Sequence, residues 1–460
     1  MTIFFSRFLL PWTGALMLLF GSGRVLGSGE SDAVLADFGP LEWIAGINGQ
    51  VTDNSSEWLA SYEGQPATEV DLSEPHSAMG DLSGNVFIAD KNANAVRVID
   101  RSGLIRTVAG TNVAGYNGDG PATLRQLDGP QNAYPMPDGS FYILDSGNQR
   151  IRRVDTAGQM TTVILENSGL SRGLWVKRDG SLIYYCTNTA LKRWTPARGT
   201  NPGTIMAQNF SELGNIDVAR NGDIYLTDRG VSTTDPTSSR VFRITPDATP
   251  STYTPVVVAG TGGTTDSGAG ASGSPATLAG VRGVRGIAFH PAGGYFLATH
   301  RGGDLWYVDK DGIITQVLQG NDQNANTPSL LPRTMPAIGN PVVSELRSVS
   351  VGLNGDLLIA TNDSGFILRA RYEGPVPAAA PLQVLPPAVS GGPVRLEWTP
   401  TAGQWFRLEA TSDPALPIWT VRMVGPAPAD RYPLTWTDPS PVSAQRRQFY
   451  RLREFRGWPN

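Results

Sequence analysis

The sequence predicts an all-β protein, a six-bladed β-propeller followed by a small β-sandwich, and three observations carry that prediction. A unit with a D-G, N-G or S-G turn between two alternating apolar runs occurs six times, which is the short-range mark of a hairpin. An element beginning P-A-T precedes three of the units at a fixed distance. After a proline- and alanine-rich stretch, short alternating strands continue without that unit. A chain of 460 residues suits one large domain and one small one. Its 53 glycines and 35 prolines lack the three-residue period of collagen, and they fit short strands joined by many turns.

In chain order, residues 1–27 read as a secretory signal peptide: Arg7 stands before an apolar run broken by Pro11 and Gly14. Val25-Leu26-Gly27 offers a cleavage point before Ser28, with Gly23 and Ala36 as alternatives. No later stretch reaches the roughly 18–20 apolar residues of a spanning helix, so no membrane span is expected after cleavage. Location is therefore expected to be secreted, periplasmic or at the cell surface. Cys186 is the single cysteine, which leaves an exported chain to hold together by packing alone. A net charge of −4 gives no basic field for nucleic acid, and none is expected as a partner.

The repeats span 41–373. DLSGNVFIADKNANAVRVIDRSGLIRTVAG (81–110) recurs as MPDGSFYILDSGNQRIRRVDTAGQMTTVI (136–164), with turn glycines, strand-ending Asp and following arginines in register. Looser copies start at 177, 219, 291 and 352. PATEVDL (66–72), PATLRQL (121–127) and PATLAGV (275–281) each place the next inner strand three residues later. Repeats of this size, each a sheet that cannot bury both faces alone, point to blades around a channel. The last copy stops at RARYEG without an outer strand, whereas LEWIAG (41–46) stands alone, so the two ends are expected to complete one sheet. Residues 374–388 read as a Pro/Ala-rich linker, and 389–460 as the sandwich.

TVAGTNVAGYNGDGPATLRQLDGP (107–130), followed by DGSFYILDSGNQRIRRVD (138–155), resembles the NHL repeat of exported bacterial propellers. The match is close in the first two copies and weak in the third, where Cys186 stands in place of Asp90 and Asp145. The tail pattern LEW…GQWFRLEA…W…TD…FYRL resembles a fibronectin-III-like module. Among its tryptophans, Trp398, Trp405, Trp419 and Trp436 alternate as core residues do.

Stepping eight residues back from the turn glycines Gly84, Gly139, Gly180, Gly222, Gly293 and Gly355 gives His76, Gln131, Arg172, Gly214, Arg285 and Arg347 at the start of the inner strands. In metal-dependent amidating lyases, which this repeat also resembles, a histidine after a proline at this place ligates zinc, and Pro75-His76 matches that once. No other copy offers His or carboxylate there, so no metal or other cofactor is expected. The three arginines suit carboxylate, sulfate or phosphate, and the competing reading pairs them with acidic neighbours such as Asp217 or Glu345.

Six residues forward from the glycines lie Asp90, Asp145, Cys186, Asp228, Thr299 and Thr361, a set suited to bonding turn amides. Gly169-Leu170-Ser171-Arg172-Gly173 spells a nucleophile elbow, but a loop enters a strand there and no base accompanies the serine. The function expected is an exported non-catalytic binding or scaffold protein whose propeller face takes a protein, a glycan or an anionic ligand. A metal-dependent propeller lyase or lactonase is one alternative, and a structural component of the envelope or matrix another.

Overall fold

The computed structural model describes the chain from Leu35 to Tyr372 apart from 37, 48–55, 57, 82, 220, 231–238, 247–252, 263–271, 291–293, 301–302, 319–333, 336–345, 353–354 and 362–364, and then the strands of the tail. The signal segment expected over 1–27 lies outside the described residues, as do Gly293, Glu345 and Trp419.

Six antiparallel sheets form a six-bladed β-propeller. Their innermost strands are Pro75–Gly80, Pro130–Pro135, Leu170–Val176, Leu213–Val218, Val284–Phe289 and Leu346–Val351. Each touches the innermost strands of both neighbouring blades, and the sixth touches the first, which closes the ring. In the first blade the strands run outward as Pro75–Gly80, Val86–Asp90, Ala95–Ile99 and Ile105–Ala109, and the next four blades repeat that order. The second strand of five blades is buried end to end, Val86–Asp90 and Phe141–Asp145 among them, because both faces of each blade are covered by neighbours.

The hairpin turns follow from the D-x-x-G segments. Asp81 accepts from the amides of Ser83 and Asn85, and Asp100, Asp155 and Asp309 do the same for the residues two and four ahead of each. These are Asx turns, and they hold the register of the flanking strands. The blade-three turn is one residue longer: Lys177 N–H reaches Leu182 O, where Met136 N–H reaches Ser140 O.

The P-A-T segments join blades. Ala122 takes the amide of Gly110, at the outer edge of blade one, and gives its own N–H to Gly158 in the outer turn of blade two. Ala67 links Gly46 and Gly103 in the same way, and Ala276 links Gly260 and Gly312. Leu72, Leu127 and Val281, each three residues before an innermost strand, are fully buried beneath these links.

The last blade is completed by the first strand. Phe38–Ala45 pairs antiparallel with Ile367–Tyr372, Leu41 opposite Ala370 and Glu42 opposite Arg369. Leu35, Phe38 and Leu41 enter the core formed with Phe366, Leu368 and Leu305, and Glu42 takes ion pairs from Arg369 (3.0 Å) and Arg371 (3.2 Å). A strand from the beginning of the chain thus seals a sheet made at the end of the ring, with no disulfide involved.

In the tail, Gln383–Leu385, Arg395–Trp398 and Leu434–Thr437 form one sheet, and Thr420–Pro426, Gln404–Thr411 and Phe449–Arg456 form another. Leu396 and Trp398 of the first pack on Phe406, Leu408 and Leu452 of the second, giving a small two-layer sandwich core. Trp398 is buried edge-on to Phe406. Gln383–Leu385 lies within the stretch expected as a spacer, so strand pairing begins before residue 389.

Candidate binding site at the channel mouth

The innermost strands enclose a cavity of about 40 Å³ lined by Asn132, Tyr134, Ile216, Ile287, Val349 and Ser350 among others. That holds a few water molecules and no sugar ring or peptide. The bulged starts of the strands lie at one end of this channel, outside that cavity.

Every innermost strand begins with a β-bulge. Pro75 pairs with Asp90 and Ser77 with Ala89, which leaves His76 as an extra residue without a partner. Gln131, Arg285 and Arg347 are the extra residues of their own blades, and the bulges of blades three and four contain Arg172 and Gly214. A bulge frees one side chain from the in-and-out alternation of the strand and re-aims it. His76, Gln131, Arg285 and Arg347 are therefore structurally equivalent, Gly214 lies in a one-residue bulge at the same place, and the blade-three bulge that contains Arg172 is one residue longer.

His76 and Gln131 are hydrogen-bonded through Nδ1 and the carboxamide, and His76 Nε2 lies 3.2 Å from Glu74 Oε1. Glu74 also receives Lys91 Nζ at 2.8 Å and Arg347 Nη2 at 3.1 Å. Burial pushes the Glu74 carboxyl up, but the hydrogen bonds from His76 and Lys91 and the Lys91 charge outweigh it and hold the group below the ordinary carboxylate range. Burial, aided by the nearby Arg347 and Arg172 charges, lowers His76 to about 3 against the pull of Glu74. We assign Glu74 as the anion and His76 as neutral, because Lys91 and Arg347 already supply the cations. Both ring nitrogens are then engaged, so a metal on His76 would have to displace Glu74 or Gln131. Among the described residues no three His, Cys, Asp or Glu side chains cluster as metal ligands would.

Blade four repeats the clamp. Glu212 stands two residues before Gly214, as Glu74 stands two before His76, and it takes Arg172 Nη1 at 3.5 Å and an ion pair from Arg229. Arg172 is held below its usual value by burial and by the Arg229 charge. The acidic partners are thus Glu74 and Glu212, not Asp217. The Asp217 carboxylate accepts from the amides of Val218 and Phe289, and burial raises it to about 7. The clamps went unnoticed in the sequence because their charges belong to different blades, although the shared two-residue offset from the bulge was there to read.

Arg285 is 4% exposed, and its Nε and Nη1 have no hydrogen-bond partner. Beside it, Gly214 has room for no side chain: a Cβ would fall 2.8 Å from Arg285 O and closer still to Thr227 Oγ1.

The strand-ending residues serve the backbone. Asp90 accepts from Ser73 N–H, Asp145 from Asp128 N–H, and Asp228 from Ser211, Glu212 and Gly230 N–H. Thr299 and Thr361 accept from Asp304 and Phe366 amides. In blade three the equivalent residue is Thr187, which pairs with Leu170 and accepts from Ala190 N–H. Counting from Gly180 lands on Cys186 because that turn is one residue longer. Cys186 is fully buried, and burial pushes its thiol up, away from reactivity. Ser171 of the elbow-like motif donates to Leu213 O, a role in blade packing.

Replacing Glu74 by Gln is expected to cost about 3 kcal/mol, since it leaves Arg347 and Lys91 without their shared carboxylate. Denaturant unfolding checks this. Because the folded carboxyl lies below its ordinary value of 4.5, the wild-type advantage should be present above pH 4.5 and fade as pH falls below it.

No family model and no curated protein matches this chain. Solved structures match it in fold. One, from Bacteroides thetaiotaomicron, is a structural genomics protein of unknown function (14% identity, 72% of this chain and 75% of that one, TM-score 0.53). A second from the same organism is an auxiliary nutrient binding protein (14%, 72% and 76%, TM-score 0.52), and a third is an auxiliary nutrient binding protein from Bacteroides ovatus (12%, 72% and 76%, TM-score 0.50). The chain thus shares its fold with these Bacteroides proteins at low identity.

Proposed function

We propose that the chain is an exported, non-catalytic binding protein of the NHL-repeat type, whose channel mouth takes an anionic ligand. The observation that carries this reading is Arg285, a buried guanidinium with unpaired N–H groups in a ring that also holds Arg172 and Arg347. A buried cation lacking an acceptor costs stability unless something fills the place, and an oxyanion fills it. The cavity inside the channel is too small for such a ligand, which favours the mouth over the channel interior. Two structures of this fold are named as nutrient binding proteins, which sets a precedent for binding on the architecture, while the ligand class rests on this chain's own residues. The N-terminal segment supports export, and the C-terminal sandwich, with its fibronectin-III-like pattern, serves as the attachment or spacing module.

Thermal melts against acidic glycans, neutral glycans, peptides and divalent metals, each with and without chelator, test the reading. A ligand that binds only the folded state at a hundred times its Kd adds about 2.7 kcal/mol. The expected result is a chelator-insensitive rise with acidic ligands alone. A chelator-induced loss of stability, restored by one metal, would replace this reading with the metal-dependent lyase or lactonase.

A further inference from the structure

An aromatic ring lies over a buried arginine in each of the first two blades, but the two rings are placed differently. In blade one the Arg97 guanidinium is 3.6 Å from the centre of the Trp58 ring, and Trp58 is 8% exposed. In blade two Arg152, the counterpart of Arg97, is 5.2 Å from the centre of the Tyr116 ring, and Arg150 is closer, at 3.8 Å. Tyr116 is 43% exposed. The difference follows from the third strand: Arg150 stands opposite Asp145, where blade one has Ala95 opposite Asp90. Arg150 and Arg152, two residues apart on one strand, share a face. Both guanidiniums therefore lie under the same side of Tyr116, and the other side is left to solvent.

The exposed ring is held in place. Gly115 N–H donates to Leu127 O, and Asn148 Nδ2 donates to Gly115 O at 2.7 Å. The Gln126 carboxamide lies against Gly115, where an added Cβ would fall 2.9 Å from Oε1. Among the described residues the Gln126 carboxamide, the Tyr116 hydroxyl, and Nε and Nη2 of Arg150 take no hydrogen-bond partner. Leu124 is exposed nearby, but so is Leu278 at the same place in another P-A-T element, so that exposure belongs to the element and not to this loop.

We propose that Tyr116 is a saccharide-binding platform: a pyranose ring lays its C–H face on the open side of the tyrosine, and Gln126 and Arg150 take its hydroxyls. A fixed aromatic plane offers flat apolar area with little rotamer freedom to lose. A carboxamide donates and accepts and a guanidinium donates, which matches hydroxyls that do both. One ring with two polar neighbours suits one sugar unit and falls well short of the roughly 800 Å² per partner of a stable protein interface. Arg150 pairs with Asp145 and Asp145 with Pro130, so the platform stands on the same end of the ring as the bulges, two strands farther out. It is a site additional to the arginine ring and independent of it.

Contact with a single sugar unit is weak, with Kd on the order of millimolar, so a ligand-observed measurement reads it where a melt does not. Saturation-transfer NMR of the full chain with the methyl glycosides of glucose, galactose, mannose and N-acetylglucosamine tests the proposal. At least one should bind, with transfer strongest to the C–H protons of one ring face. Tyr116→Ala should weaken that binding about tenfold or more, and Tyr116→Trp should keep it by restoring a flat ring. Gln126→Ala, which leaves the ring over Arg152 in place, should weaken it by a smaller factor. Arg285→Gln should leave it unchanged, which separates this site from the mouth. No binding of any of the four glycosides, or binding unaffected by Tyr116→Ala, would overturn the platform. Binding lost in Arg285→Gln but kept in Tyr116→Ala would overturn it too and assign the sugar to the mouth. Should Tyr116→Ala fail to fold, full-strength binding by Gln126→Ala would overturn the proposal in its place.

Discussion

A chain beginning at residue 47 is expected to lose cooperative unfolding, with a broad transition and exposed apolar surface in place of one sharp step. The lost segment contains the strand Phe38–Ala45, the outer strand of the last blade. It buries Leu35, Phe38 and Leu41 in the core around Phe366 and Leu368. Burial of three such side chains is worth roughly 4.5–9 kcal/mol, at about 1.5–3 kcal/mol each. Whole domains are stable by only about 5–15 kcal/mol, so this one contact is of the size of the total. Its removal also bares the edge strand Ile367–Tyr372, an aggregation template that closed rings avoid. Denaturant unfolding with a dye for exposed apolar surface checks the expectation. A truncated chain that unfolds in one step with the wild-type slope would show that the ring does not need its first strand.

The second large effect is expected at Gly110. This residue has φ +94°, and an added Cβ would collide with Asn94 O and lie 2.7 Å from Ala95 Cα. Its amide reaches Ala122 O in the link between blades one and two. Gly110→Ala should cost about 2–4 kcal/mol, the sum of left-handed strain and a displaced inter-blade hydrogen bond. Gly103→Ala is the control, because it also has positive φ (+82°) but meets nothing within 4 Å. It should cost about 1 kcal/mol. Equal losses in the two variants would mean that backbone strain alone, and not the blade link, is at stake.

Much of this architecture was legible because repeats display their register. The D-G, N-G and S-G turns, the apolar alternation and, in three blades, the three-residue gap after a P-A-T element pointed to the six innermost strands, and the orphaned LEWIAG and RARY segments pointed to the closing sheet. What stayed hidden depends on distance between blades or on a single inserted residue. Glu74 and Glu212 clamp arginines that come from neighbouring blades, 273 and 40 residues away. Cys186 looked equivalent to Asp90 until the longer blade-three turn moved Thr187 into that place. The copies fade for a physical reason as well. Opposite Ile88 and Ile143 the core holds buried Arg97 and Arg152, paired with Asp90 and Asp145. Blade three substitutes Lys192 with Glu166 at 2.9 Å, and blades five and six place Trp306 and Leu368 there. Charged pairs give way to apolar packing, so the sequence signal decays while the sheet persists. The sandwich began inside the expected spacer because a three-residue strand, Gln383–Leu385, is too short to show a period.

The central claim is that the bulged ring of arginines binds an anion at the channel mouth. Its most direct test is calorimetric titration of an acidic oligosaccharide into wild type and into the double variant Arg285→Gln/Arg347→Gln at two salt concentrations. The account predicts wild-type binding that weakens as salt rises, and no measurable binding by the folded double variant. Binding of equal strength in both proteins would contradict it.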